Sequence, residues 1–202
     1  MTFIAIQFLN GLSYATTLFL MAAGLTLIFG VTRIVNFAHG SFFMLGALFS
    51  AHWLVNWFPS WGESAWLYAF AITLGAICAA LAGATAEFFL LRRLYGVPEL
   101  YQLVATFGLS LALHDAMRWG FGPDEVFAPR FPGLKGAIEW GGEFFPQYQV
   151  FTILLGPLVW LGLHLLLTRT AFGTRVRAAT QDRDMLAALG IPSAPLMMGA
   201  VV

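Results

Sequence analysis

Charge is scarce in this chain, and cysteine is almost absent. Only 10% of the 202 residues are charged, whereas soluble domains carry about 25%. Between Met1 and Ala86 the only charged residues are Arg33 and Glu63. A hydrophobic content of 59% with so little charge to cover a soluble surface predicts a polytopic membrane protein. The one cysteine, Cys78, cannot form a disulfide within the chain.

The charge balance and the missing motifs exclude several classes of function. Ten basic and ten acidic residues give a formal net charge of zero, so we expect no nucleic-acid partner. The sequence contains no nucleophile elbow, no zinc-protease motif and no phosphate-binding loop. We therefore expect neither a catalytic site nor a cofactor, and four scattered histidines make a poor metal site. If ATP drives this protein, another chain hydrolyses it.

Long apolar runs predict membrane-spanning helices, which need about 20 apolar residues each. We expect an all-α transmembrane bundle that forms a single transmembrane domain over 1–202. Five complete spans are predicted near Phe3–Gly30, Ile34–Phe58, Ala65–Leu91, Leu100–Trp119 and Gln149–Thr168. A sixth run begins at Pro195 and stops at Val202, which is too short to cross, so we expect a C-terminally truncated domain.

Basic residues between the spans predict the orientation in the membrane. Arg92 and Arg93 follow the third span, and a loop with four arginines, 169–192, follows the fifth. Both loops should be cytoplasmic, which places the N-terminus outside. The loop 120–148 would then be an outer loop, and its four prolines exclude one continuous helix. Its aromatic residues, including Trp140, suit the membrane interface or a re-entrant segment.

Polar side chains within the apolar runs are the candidates for function, because lipid offers them no hydrogen bonds. One group surrounds the start of the second span, and another recurs every four residues along the fourth span as Gln102, Thr106, Ser110 and His114. Each group has a structural reading, as a hinge or as hydrogen bonds between helices. Each also has a functional reading, as the lining of a substrate path. For the path we name Asn36, His39, Gly40, Ser41, Thr106 and Ser110.

Glycines give the second and third spans distinct packing properties. Asn36, His39 and Gly40 would share one helical face at i, i+3 and i+4. Gly40 and Gly46 would let the second span break or approach another backbone. In the third span Gly75, Ala79 and Gly83 recur every four residues and lead to Glu87 on the same face. That pattern predicts close helix packing.

A short helix is predicted after the fifth span, from Arg177 to Leu189, with Gly190 and Pro192 as its stop signals. Its apolar edge would either enter a groove on a cytoplasmic partner or lie on the inner face of the protein itself. The candidate partner contacts are Arg177, Asp182, Arg183, Met185, Leu186 and Gly190.

Three segments of the chain are similar to a known family. They are Gly24–Phe43, which contains the string Val35-Asn-Phe-Ala-His-Gly40, then Leu91–Gly96 and Ala105–Leu109. They resemble the branched-chain amino-acid ABC transporter permeases, and in particular the first of the two permease subunits. Relatives for urea and short amides share the central string. The resemblance runs from about Leu9 to Ile191 in the order of the family.

The resemblance implies a non-enzymatic permease subunit of an importer in the bacterial inner membrane. Its protein partners would be a second permease subunit, two ATP-binding subunits and a periplasmic substrate-binding protein. The chain itself would be embedded in the lipid bilayer. The loop containing Arg177–Gly190 would be the coupling helix seated on an ATPase, although it lacks the glutamate of the wider coupling pattern. The substrate would be leucine, isoleucine or valine. A urea or short-amide importer, or a stand-alone secondary transporter or channel, is the alternative.

Overall fold

The computed structural model describes residues 2–32, 35–56, 64–94 and 96–181. Within these ranges the chain is mostly helical, as expected. A π-helical turn, Glu87–Leu91, connects the third helix directly to a short fourth one. The helices are α1 (Thr2–Thr32), α2 (His39–Asn56), α3 (Ala65–Ala86), α4 (Arg92–Leu94), α5 (Glu99–Phe121), α6 (Gln147–Arg169) and α7 (Ala171–Gln181).

Three helical stretches of the described chain are long and apolar enough to cross a membrane. They are Thr2–Gly30, Ala65–Leu94 and Gln147–Arg169, and they correspond to the first, third and fifth predicted spans. The second and fourth predicted spans are helices α2 and α5. Histidines in α2, and charged residues at both ends of α5, lower their hydropathy. A total of five spans therefore stays a prediction.

Helix α2 begins later than the sequence pattern suggested. Its first residue is His39, and Asn36 lies in the turn before it. The Asn36 Oδ1 atom accepts a hydrogen bond of 3.0 Å from the Ala38 N–H, and the Asn36 carbonyl accepts one of 3.2 Å from the His39 N–H. An asparagine side chain that binds the backbone two residues ahead competes with helix formation. The predicted helical face shared by Asn36, His39 and Gly40 is therefore wrong.

The helices pack in two groups, α2 with α3 and α5, and α1 with α6 and α7. The backbones of α2 and α3 come close to each other where these helices cross. A Cβ atom added at Gly75 would overlap the carbonyl oxygen of Gly46 and the hydroxyl of Ser50. Gly75 and Gly83 are both buried, which confirms the predicted small-residue surface of the third span. The predicted backbone approach at Gly46 is confirmed as well.

A β-hairpin lies between α5 and α6, where the sequence analysis predicted no strand. Strand β1 (Ala137–Trp140) pairs antiparallel with β2 (Glu143–Pro146), with Trp140 opposite Glu143. Gly141 and Gly142 form the turn with φ angles of 60° and 84°, and a two-residue turn with positive φ at both positions favours glycine. The all-α fold class is thus corrected to a mostly helical fold with one β-hairpin, while the interfacial or re-entrant position of this loop stays a prediction. The Gly-Gly pair between two short apolar runs was the overlooked signal.

The hairpin is seated on the start of α1. A Cβ atom at Gly141 would overlap the side chain of Thr2, and Phe145 of β2 is buried. At the other end of α1, Leu27 packs against Val176 of α7. The segments 120–148 and 169–181 therefore contact opposite ends of one long helix.

Candidate functional site

A polar interface joins α5 to α2 and to the turn before α2. We call it the polar seam and define it by Asn36, Ser41, Gln102, Thr106 and Ser110. The Ser41 Oγ lies 2.9 Å from the Ser110 Oγ, and the Thr106 Oγ1 lies 3.3 Å from the Val35 carbonyl oxygen. The structure thus brings residues from two predicted spans together, including four of the six proposed path residues.

Thr106 is at the centre of the polar seam and is 0% exposed. Its Oγ1 atom lies near three carbonyl oxygens, those of Val35 at 3.3 Å, Gln102 at 3.0 Å and Leu103 at 3.2 Å. A hydroxyl has one proton and therefore donates fully to only one of them at a time. The bond from α5 to the turn before α2 consequently competes with bonds inside α5 itself.

Gln102 fixes the chain that leads into α5. Its Nε2 atom donates hydrogen bonds to the carbonyl oxygens of Leu94, at 2.9 Å, and Val97, at 2.8 Å. Both amide protons are therefore committed to the backbone, and the amide oxygen is the remaining polar atom. Gln102 itself is buried, one helical turn before Thr106.

Asn36 is buried to 3% exposure and uses only part of its hydrogen-bonding capacity. Its Oδ1 atom holds the turn, but its Nδ2 atom has no hydrogen-bond partner among the described residues. A buried donor without a partner costs about 1–3 kcal/mol. An amide in this state is suited to receive a water molecule or a polar group of a ligand.

His39 and Gly40 lie near the polar seam in sequence but make different contacts. The imidazole of His39 is partly buried and lies near the backbone of Met21 on α1. A Cβ atom at Gly24 would come within 3.1 Å of the same ring, so Gly24 gives His39 its space on α1. Gly40 is exposed, with open space around its missing side chain. His114, the last member of the predicted stripe, is exposed as well.

A cleft of about 500 Å³ lies next to the polar seam, between the end of α1, the start of α5 and α7. Its lining combines one carboxylate, one amide and one hydroxyl with apolar side chains. The lining residues are Phe29, Gly30, Val35, Glu99, Gln102, Leu103 and Thr180. Sequence reasoning missed this cleft because no spacing pattern relates residues from three separated segments.

Helix α7 covers the described part of the predicted coupling loop, and it begins earlier than predicted. The Thr170 Oγ1 atom accepts a hydrogen bond of 3.0 Å from the Gly173 N–H and caps the helix. The helix therefore begins at Ala171, six residues before Arg177. Val176 is buried against α1 and α6. The exposed Arg177 donates a hydrogen bond to the Leu167 carbonyl at the C-terminal end of α6. Asp182, Arg183, Met185, Leu186 and Gly190 lie outside the described residues.

Two comparisons with known proteins found similar sequences. The family described as "Branched-chain amino acid transport system / permease component" matches residues 7–202. The high-affinity branched-chain amino acid transport system permease protein BraD of Pseudomonas aeruginosa is 29% identical over 194 residues, which are 93% of this chain and 62% of that protein. The corresponding LivH proteins of Salmonella typhimurium and Escherichia coli K12 are 28% identical over 189 residues. The chain covers 92% of its own length in these matches and 61% of theirs. No solved structure matches it.

Proposed function

The chain belongs to the family of branched-chain amino acid transport permease components, and from this premise we propose that it helps to form the transmembrane path of an ATP-driven importer. The substrates would be leucine, isoleucine and valine. The observation that carries the proposal is the family match over nearly the whole chain, although the chain spans only about three-fifths of the curated relatives it matches. The membrane would be the bacterial inner membrane.

The proposed partners are a second permease subunit, two ATP-binding subunits and a periplasmic substrate-binding protein. The opposite placement of the hairpin and α7 along α1 supports a division into an outer and an inner face. Arg175 and Arg177 lie on α7, and the hairpin carries Glu139 and Glu143. By the positive-inside rule the α7 end would be cytoplasmic and the hairpin would face the binding protein.

The path would run along the polar seam. Asn36, Ser41, Thr106 and Ser110 would line or shape it, with His39 and Gly40 beside them at the start of α2. Because Thr106 is fully buried, the path would be closed in this conformation. It would open when α2 separates from α5.

The coupling to ATP would pass through the loop 169–192. Arg177, together with Asp182, Arg183, Met185, Leu186 and Gly190, would meet an ATP-binding subunit. The bond from Arg177 to the end of α6, and the packing of Val176 on α1, support this proposal. A displacement of α7 would move two long helices at once.

The test is uptake by the assembled transporter. The complex is purified through a tag on this chain, reconstituted into liposomes, and supplied with binding protein and ATP. ATP-dependent uptake of labelled leucine that requires the binding protein is the expected result. Uptake of labelled urea in its place would assign the chain to the urea and short-amide importers. Movement of either solute without ATP would contradict the importer and favour a channel or secondary transporter.

A further inference from the structure

We propose that the cleft between α1, α5 and α7 binds a primary ammonium group that carries a branched aliphatic chain. This inference rests on the proposed function and adds to it a site at which a branched-chain amino acid is held before release. None of the cleft residues Phe29, Glu99 and Leu103 belongs to the path inferred from sequence.

The polar corner of the cleft presents hydrogen-bond acceptors. Glu99 and Gln102 stand three residues apart in the first turn of α5, and side chains at that spacing are neighbours on one helical face. The Glu99 carboxylate can only accept hydrogen bonds. The Gln102 amide has donated both protons to Leu94 and Val97, so its oxygen, which can only accept, is the atom left for a further partner. Such a corner matches a cation with several donors, which is what an ammonium group offers.

The other walls of the cleft are apolar. Phe29 from α1, Leu103 from α5 and Val35 from the turn before α2 provide aromatic and aliphatic contacts. The volume of about 500 Å³ lies within the roughly 300–1,000 Å³ typical of small-ligand sites. An aliphatic side chain would pack on these walls, while the carboxylate of an amino acid would face the open mouth of the cleft.

The position of the cleft suits a release site. Val35 forms part of its wall, and the carbonyl oxygen of the same residue lies 3.3 Å from the Thr106 hydroxyl in the polar seam. Thr180 of α7 forms another wall. The cleft therefore lies between the proposed path and the element proposed to respond to ATP.

The experiment measures equilibrium binding of tritiated leucine to the nucleotide-free complex in lipid nanodiscs without binding protein. Competitors are isopentylamine, which keeps the ammonium group, and isocaproate, which keeps the carboxylate. Glu99→Gln removes the charge, and Glu99→Asp keeps it. Asp115→Asn is the matched control, because Asp115 is an exposed acid at the other end of the same helix.

We expect isopentylamine, and not isocaproate, to displace leucine. In Glu99→Gln the loss of a charge-assisted hydrogen bond should weaken the affinity for leucine by about tenfold or more. Glu99→Asp and Asp115→Asn should bind as the unmodified complex does. The cleft proposal is overturned if Glu99→Gln binds leucine as tightly as the unmodified complex, or if isocaproate alone displaces leucine. If ATP-dependent uptake persists in that case, the proposal of leucine import still stands. A complex that neither binds nor imports leucine overturns both proposals.

Discussion

Thr106 illustrates how a single hydroxyl can connect two helices within an apolar bundle. Thr106→Val keeps the shape of the side chain and leaves the Val35 carbonyl without this donor. An unsatisfied buried group costs about 1–3 kcal/mol, so we predict a lower melting temperature for the purified complex. Thr106→Ser keeps the hydroxyl and should lower the melting temperature much less.

The matched control for this prediction is Thr73→Val. Thr73 is exposed on α3, and its hydroxyl donates only to the Ala69 carbonyl of its own helix, at 2.7 Å. We expect almost no change in melting temperature. An equal fall in melting temperature for Thr73→Val and Thr106→Val would show that the contact with Val35 does not stabilise the complex.

Substitutions of Asn36 can distinguish the role of its Oδ1 atom, which holds the turn, from the role of its Nδ2 donor, which has no partner among the described residues. A serine hydroxyl can still accept from the N–H two residues ahead, so Asn36→Ser keeps the turn and removes Nδ2. If that donor contacts substrate, leucine uptake falls by about tenfold while assembly is unchanged. Full transport by a folded, assembled Asn36→Ala, His39→Ala double variant would falsify the path role of both residues.

At the residue scale, the polar residues of α5 that are buried could be predicted from the sequence, whereas their hydrogen-bond partners could not. The four-residue spacing of Gln102, Thr106 and Ser110 identified a polar stripe, and the structure buries its first two members. The bonds from Gln102 to Leu94 and Val97 could not be predicted, because they depend on the path of the connecting loop. The unpartnered Nδ2 of Asn36 depends in the same way on packing, which no local pattern encodes.

Among the elements, the two faces of α2 differ in how easily they can separate. On α3 the backbones meet at Gly46 and Gly75, and such packing transmits displacement. At the polar seam the contact with α5 is made by hydroxyls, and Thr106 has alternative acceptors within α5. Beyond the seam, the Phe121 ring of α5 packs on Phe49 and His52 of α2. We expect α2 and α3 to move together and to part from α5 during transport.

Disulfide trapping tests this difference. In a Cys78→Ala background, the pair Ser41→Cys and Ser110→Cys should cross-link and stop uptake, and a reductant should restore it. The control pair Leu54→Cys and Ala71→Cys lies in one buried cluster between α2 and α3. Its cross-link should leave uptake intact. Inhibition of uptake by both cross-links would contradict the proposal that α2 and α3 move together and part from α5 at the polar seam.

The α2–α3 crossing also makes a prediction about stability. Gly75→Ala places a methyl group on the Gly46 carbonyl and the Ser50 hydroxyl, and overpacking of this kind costs about 1–3 kcal/mol. Gly108→Ala on α5 meets open space and should be neutral or slightly stabilising. The two variants are compared by thermal unfolding of the complex, and a neutral Gly75→Ala would contradict the close crossing.

At the element scale the sequence predicted the helices and one packing surface, but not the hairpin. Periodic small residues between Gly75 and Gly83 directly encode a face of α3, so their burial was predictable. The late start of α2 follows from the side chain of Asn36, which overrides an apolar run. The hairpin is only four residues on each strand, and such short runs are easily taken for loop.

For the molecule as a whole, the length of α1 separates two faces. Its 31 residues extend about 46 Å at 1.5 Å per residue, more than the hydrocarbon core of a bilayer, which is about 30 Å. We predict that Glu143→Cys reacts with an impermeant maleimide in intact spheroplasts. Arg175→Cys should react only after permeabilisation. Labelling of both from the same side would overturn the proposed orientation.

The seat of the hairpin on Thr2 has a consequence for the biogenesis of the protein. The start of α1 is synthesised before its partners Gly141 and Phe145, which follow about 140 residues later in the chain. Until then α1 is held in the membrane by its own hydropathy rather than by this contact. Closing the hairpin onto Thr2 is therefore a step that must wait for the hairpin, and it joins α1 to the segment that leads into α6.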